Sequence, residues 1–136
     1  MKTYTKNIDR TFKGQIDWSS GLWIILLDTA YTPNFDTDEF LDDLPSAARV
    51  AEVALTGLTF ANRELAIAQT LIPSVTGDKP TQAVVYQRKS TNTETTSPLL
   101  MHYTQAEVAG MTAYNPSGNN VALNWPDPVL DIPQIT

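Results

Sequence analysis

The chain has 136 residues and a formal net charge of −6, with nine Lys and Arg against fifteen Asp and Glu, one His and no Cys. A unit of this size buries enough surface to fold without metal, disulfide or partner, so a single domain over residues 1–136 is expected. Scattered single basic residues disfavour nucleic acid, no apolar run reaches the roughly 20 residues that span a bilayer, and the missing thiols remove disulfides, thiolate nucleophiles and Cys-type zinc sites.

The N-terminus, MKTYTKNIDRTFKG, has no apolar stretch behind it. No cleaved secretion signal is therefore expected, and the protein is expected to stay where it is made or to leave inside a particle. Residues 1–11 read as an extended arm. Eighteen Thr, together with Val, Ile, Tyr, Trp and Phe, fill short segments bounded by Gly, Pro, Asn and Asp, which is strand composition. Candidate strands are Thr3–Ile8, Phe12–Trp18, Leu22–Asp28, Arg49–Leu55, Glu64–Leu71, Ala83–Arg88, Leu99–Thr104, Met111–Tyr114, Val121–Trp125 and Val129–Ile132. The continuous apolar run LWIILL at 22–27 suits a strand buried on both faces.

After it, NFDTDEFLDDLP predicts one short helix: Asp36 stands at the N-cap position, Glu39 follows three residues later and Pro45 marks the stop. Phe40, Leu41 and Leu44 would share its apolar side, Phe35 would staple to Phe40, and the helix would plug one end of the β core. SAARVAEVAL at 46–55 has good helix formers, but Ala48, Val50 and Val53 fit neither period cleanly, which leaves it open between helix and strand. QAVVYQRK and PLLMHYT read as a hairpin joined by the polar STNTETTS. TQAEVAG at 104–110 allows one further turn closed by Gly110, and the Pro-rich residues 126–136 read as an extended tail. The fold class is mainly β: an antiparallel β-sandwich or jelly-roll-like domain with one short helix after the first core strand.

Reactive groups are scarce. His102 is the sole imidazole, and no G-x-S-x-G elbow positions a serine such as Ser97 for it, so its place in LLMHYT reads as structural. Asp36, Asp38, Glu39, Asp42 and Asp43 put five carboxylates in eight residues, but without the glycine turn or terminal glutamate of a calcium loop, and too close together to flank a sugar. The isolated glycines form no phosphate-cradling motif. Trp23 and Trp125 read as core, while Trp18, which precedes SSG, is the candidate for a carbohydrate-stacking ring. No catalytic residue, cofactor or metal is expected, and a binding or building role remains. For that role the arm and tail offer extended ends able to add to neighbours.

The stretch GLWIILLDTAYTPNFDTDEFLDDL resembles a family of small tailed-bacteriophage virion proteins, in which a hydrophobic strand runs into a "YTP" turn and a short acidic, aromatic-containing helix. Later landmarks follow in the same order: Glu52-Val53, GLTFAN at 57–62, AVVYQRK, TSPLLMHY and NNVALNWPDPVLDI. The likeness covers most of residues 16–132. The chain departs from the pattern in the Ala-rich 46–55 segment and at Pro126, which splits the terminal Trp-Asp pair. The resemblance implies a β-sandwich or jelly-roll-like domain assembled into the particle, with no catalytic residues to transfer. A capsid decoration (cement) protein that bridges major capsid subunits is the first expectation, made in the host bacterial cytoplasm and carried in the virion as a homo-oligomer, with a trimer favoured. The alternative is a neck or tail accessory, or a receptor-facing carbohydrate-binding module. Partner contacts are expected at Lys2, Tyr4 and Ile8 on the arm, at Arg88 and Lys89 in the 88–96 loop, and at Pro126, Pro128 and Ile132 on the tail. Neither nucleic acid nor membrane is expected as a partner.

Overall fold

The computed structural model describes residues 1–62, 64–89, 94–111, 118–125 and 130–131. It is mainly β, with antiparallel pairing throughout. In chain order the elements are β1 (Lys2–Thr3), α1 (Thr5–Phe12), β2 (Leu22–Leu27), β3 (Arg49–Ala54), β4 (Leu58–Ala61), β5 (Glu64–Ile67), β6 (Thr70–Ile72), β7 (Gln82–Gln87), β8 (Leu99–Thr104), β9 (Val121–Leu123) and β10 (Leu130–Asp131). Short 3-10 turns lie at Leu41–Asp43, Ser46–Ala48 and Glu94–Thr96. A five-stranded sheet runs in the order β1-β8-β7-β2-β3, beside smaller sheets β10-β5-β4 and β6-β9. No described helix is long and apolar enough to cross a membrane.

The run LWIILL is the centre of this sheet, and both of its faces are covered. Ile24 and Leu26, with Ala83, Val85, Met101 and Tyr103 from β7 and β8, pack against Leu65, Ile72, Val121 and Leu123 of the small sheets, giving a sandwich-like core. Ile25 and Leu27, with Val84 and Tyr86, face the other way, onto Tyr4, Tyr31, Leu41, Leu44 and Ala48. A strand with no solvent face has no use for alternation, which is why its sequence is continuously apolar. The expected hairpin of 82–104 is present as β7 and β8, from Gln82↔Thr104 to Tyr86↔Leu99.

Three expectations are corrected. Residues 1–11 are not an extended arm: β1 pairs with β8, and Thr5–Phe12 is helical where a strand to Ile8 was expected. The helix closes in a Schellman arrangement, with Gly14 at φ 69°, its N–H donating to the Thr11 carbonyl (3.1 Å) and that of Gln15 to the Arg10 carbonyl (2.9 Å). Second, the helix expected from Asp36 is a turn followed by the Leu41–Asp43 3-10 turn, so the one α-helix among the described residues precedes the first core strand. Backbone groups there bond elsewhere: Leu41 N–H donates to Ser97 O and Leu99 N–H to Glu39 O, while Asp43 Oδ2 takes the N–H groups of Glu39 (2.7 Å) and Phe40 (3.0 Å). The segment therefore lies across the second sheet face and does not plug an end. Third, Phe12–Trp18 forms no strand, and GLTFAN, where no strand was expected, supplies β4. SAARVAEVAL divides into the Ser46–Ala48 turn and β3.

Candidate interaction surface

The expected contact residues do not gather at one place. Lys2, on β1, is exposed and holds its ammonium 5.1 Å from the Phe35 ring centroid. Tyr4 is fully buried, its hydroxyl 2.9 Å from that of Tyr31 and its ring 5.4 Å from Phe35. It is a core residue and not a partner contact, because a phenol with a buried hydrogen-bond partner belongs inside. Ile8 stands out of α1, and Phe12, one turn on, is 75% exposed. The helix faces inward with Asn7, which is buried and donates to Leu99 O (2.6 Å) and Glu39 O (2.8 Å). Pro126, Pro128 and Ile132 lie outside the described residues; of the expected tail, the backbone of Leu130–Asp131 pairs with β5.

Arg88 and Lys89 do share a site. They line a cleft of about 510 Å³ with Gly14, Gln15, Asp17 and Ser20. The Arg88 guanidinium lies 4.1 Å from the Trp23 ring centroid, and Gln87, buried, ties the opposite wall down by donating from Nε2 to Asp17 O (2.9 Å). Asp17 lies on the exposed wall, where its Oδ1 accepts from the Ser19 hydroxyl (2.5 Å) and N–H (2.9 Å) and its Oδ2 from the Ser20 hydroxyl (2.8 Å). These donors hold its carboxyl down at about 2, the Ser19 hydroxyl contributing most. So weak a base does not activate a serine; the serines stabilise the carboxylate.

A second cleft, of about 400 Å³, shares Ile16 and Asp17 with the first and is lined further by Trp18, Ser19, Leu58 and Phe60. Phe60 is 47% exposed. The two hollows together make a surface that is cationic on one side and aromatic on the other. Trp18 is thus the cleft tryptophan. Trp125 packs edge-on to Tyr103 at 5.2 Å and donates to Thr70 Oγ1 (2.8 Å). Phe12, Phe60 and the 55% exposed Leu71 were missed from the sequence. The signal for Phe12 was its i, i+4 spacing from Ile8, and that for Phe60 the Leu58/Phe60 alternation.

The groups that looked reactive are held internally. His102 Nε2 lies 2.7 Å from Gln82 Oε1, and Gln82 Nε2 donates to Asp28 O and Tyr31 O (both 2.8 Å). That fixes the amide orientation, so the imidazole donates from Nε2. Burial, then the positive charges of the N-terminus and Lys2, bring its pKa down to about 4, and it is neutral near pH 7. In the acidic stretch, Asp36 accepts from Thr5 Oγ1 and Asp38 from the Tyr31 hydroxyl, while Glu39 pairs with Lys6 (3.3 Å) and Arg10 (2.6 Å). Among the described residues, no group of three or more Asp, Glu or His side chains is placed to hold a metal ion.

Neither a family model nor a curated protein matches the chain.

Proposed function

We propose that this chain is a non-catalytic structural protein of a tailed-bacteriophage virion, a capsid decoration protein that bridges major capsid subunits as a homo-oligomer. The observation that carries the reading is a division of labour: the sole imidazole and most of the 36–43 carboxylates are committed to internal bonds, while Ile8, Phe12, Phe60 and Leu71 face outward. Exposed apolar side chains on a small acidic domain are candidates for contact with a partner. Lys2, Ile8, Arg88 and Lys89 remain its contact candidates, joined by Phe12 and Phe60. Weak contacts of this kind, repeated by shell symmetry, give firm collective attachment.

The test is quantitative mass spectrometry of particles purified from the host. A copy number comparable to that of the major shell protein is expected. A few copies per particle would move the protein to the neck or tail, and none would overturn the virion reading. The Trp18–Phe60 cleft supports the second reading, a carbohydrate-binding module, since aromatic rings beside polar groups suit sugar faces. Specific binding on a glycan array, lost in Trp18→Ala, would favour it over the decoration role.

A further inference from the structure

Two sheet edges differ sharply in chemistry. β3 carries Arg49, bonded to Glu94 and to the Leu41 and Leu44 carbonyls, and Glu52, which accepts from the Tyr86 hydroxyl. β4 is Leu58-Thr59-Phe60-Ala61, without charge or proline, and among the described residues no strand pairs with its outer side. Natural edges are normally guarded by charge, proline, a bulge or shortness; β4 has four residues and none of the other three guards, so its outer backbone groups can take a partner.

The ladder shows which backbone groups β4 offers. Ala68 N–H donates to Gly57 O (3.2 Å), and the register continues through Leu58↔Ile67, Thr59↔Ala66, Phe60↔Leu65 and Ala61↔Glu64. Antiparallel alternation then turns the N–H and C=O groups of Thr59 and Ala61 toward β5 and those of Leu58 and Phe60 outward. We propose that β4 pairs with β4 of a second copy, antiparallel, with Thr59 on the two-fold axis. Leu58 of each copy then faces Phe60 of the other, and the two residues exchange both backbone hydrogen bonds at each end. Leu58 and Phe60 lie on one face of the strand and line the same cleft as Trp18, so each Phe60 ring projects toward the partner's hollow. The projecting ring and its receptor belong to one surface, as a two-fold interface requires. Two chains of net charge −6 repel one another, and an uncharged strand is where that repulsion is least. The pairing is two-fold, unlike the trimer expected from the virion role, and it holds or fails independently of that role.

The experiment is light scattering with size exclusion on the full chain, up to about 1 mM, the weak end of specific association. The wild type is expected to move from monomer toward dimer. Phe60→Lys and Phe60→Pro are expected to stay monomeric with unchanged circular dichroism, the proline removing only an outward N–H. Leu71→Lys, at an exposed apolar site on another sheet, is expected to dimerise as the wild type does. In the wild type, amide exchange at Leu58 and Phe60 is expected to slow about tenfold across that range, with Thr59 unchanged. A wild type that stays monomeric, a trimer, a dimer that survives both Phe60 substitutions, loss of the dimer in Leu71→Lys, or amides indifferent to concentration would each overturn the proposal.

Discussion

The two faces of the five-stranded sheet are covered by different kinds of chain. One meets other strands, side chain on side chain, through Ile24, Leu26, Val85 and Met101. The other meets α1 and the irregular 28–48 segment, which are positioned as much by polar ties as by packing: Asn7 to two carbonyls, Gln82 to two more, Tyr4 to Tyr31 to Asp38, and Arg49 to the Leu41 and Leu44 carbonyls. The difference teaches that one sheet can hold a strand layer by area alone, whereas chain without a ladder of its own needs its backbone groups satisfied one by one.

Substitution on each face breaks this comparison in a different way. Leu26→Ala opens a cavity where the side chain is fully buried, and the expected loss is about 3–4 kcal/mol in urea unfolding, with an unchanged denaturant slope. On the second face Asn7→Ala removes little apolar area but leaves the Leu99 and Glu39 carbonyls without their side-chain donor, for an expected loss of about 2 kcal/mol. Proteolysis under native conditions separates the two: Asn7→Ala is expected to expose the 1–20 segment to cleavage while β7 and β8 stay protected. Equal, global loss of protection in both variants would mean that the faces unfold as one unit.

His102 sharpens the contrast through pH, because it sits on the polar-tied face beside Phe35 and Lys2. Its pKa falls from an ordinary 6.5 to about 4 on folding, so between those values the unfolded chain binds the additional proton. Stability is then complete above pH 6.5 and declines as pH falls toward 4, by about 1–2 kcal/mol after allowing for partial solvent screening. Urea unfolding between pH 6.5 and 5, above the carboxylate range, is expected to show this slope in the wild type and to lose it in His102→Gln. A slope that persists in the variant would assign the pH dependence to other groups.

The same contrast explains what could be read in advance. The strand-covered face announces itself in apolar patterns: LWIILL, AVVY and LLMHY each bury at least one face, and their pairing as a central strand beside a hairpin follows. The polar-tied face does not. The i, i+4 pairs of α1 are Thr5/Asp9, Lys6/Arg10, Asn7/Thr11 and Ile8/Phe12, so its inward stripe is Asn7 and its apolar stripe looks outward, the reverse of the pattern that marks a surface helix. Gly14 was the legible sign, closing a helix whose body was hidden. Asp36, with Glu39 three residues on, mimicked a helix start because the acids that cap helices also tie turns. At the candidate surface Arg88 and Lys89 were legible as cations at a strand end. Phe60 was not, since a four-residue edge strand following Gly57 reads as a turn until its partner is known.

The smallest expected effect separates ion pairs from carbonyl ties within the second face. Arg49 reaches Glu94 at 2.6 Å, but Glu94 is half exposed, and a surface pair contributes at most about 1 kcal/mol. The same guanidinium donates to Leu41 O at 2.9 Å and to Leu44 O at 2.9 and 3.2 Å, holding down the turn that covers Ile25 and Leu27. Glu94→Gln is therefore expected to change stability by less than about 0.5 kcal/mol, and Arg49→Met by about 1–2 kcal/mol. If the two substitutions cost the same, and both effects vanish in high salt, the charge pair would be the working contact. A salt-insensitive loss confined to Arg49→Met would place the stabilisation in the carbonyl bonds, as their part-buried geometry requires.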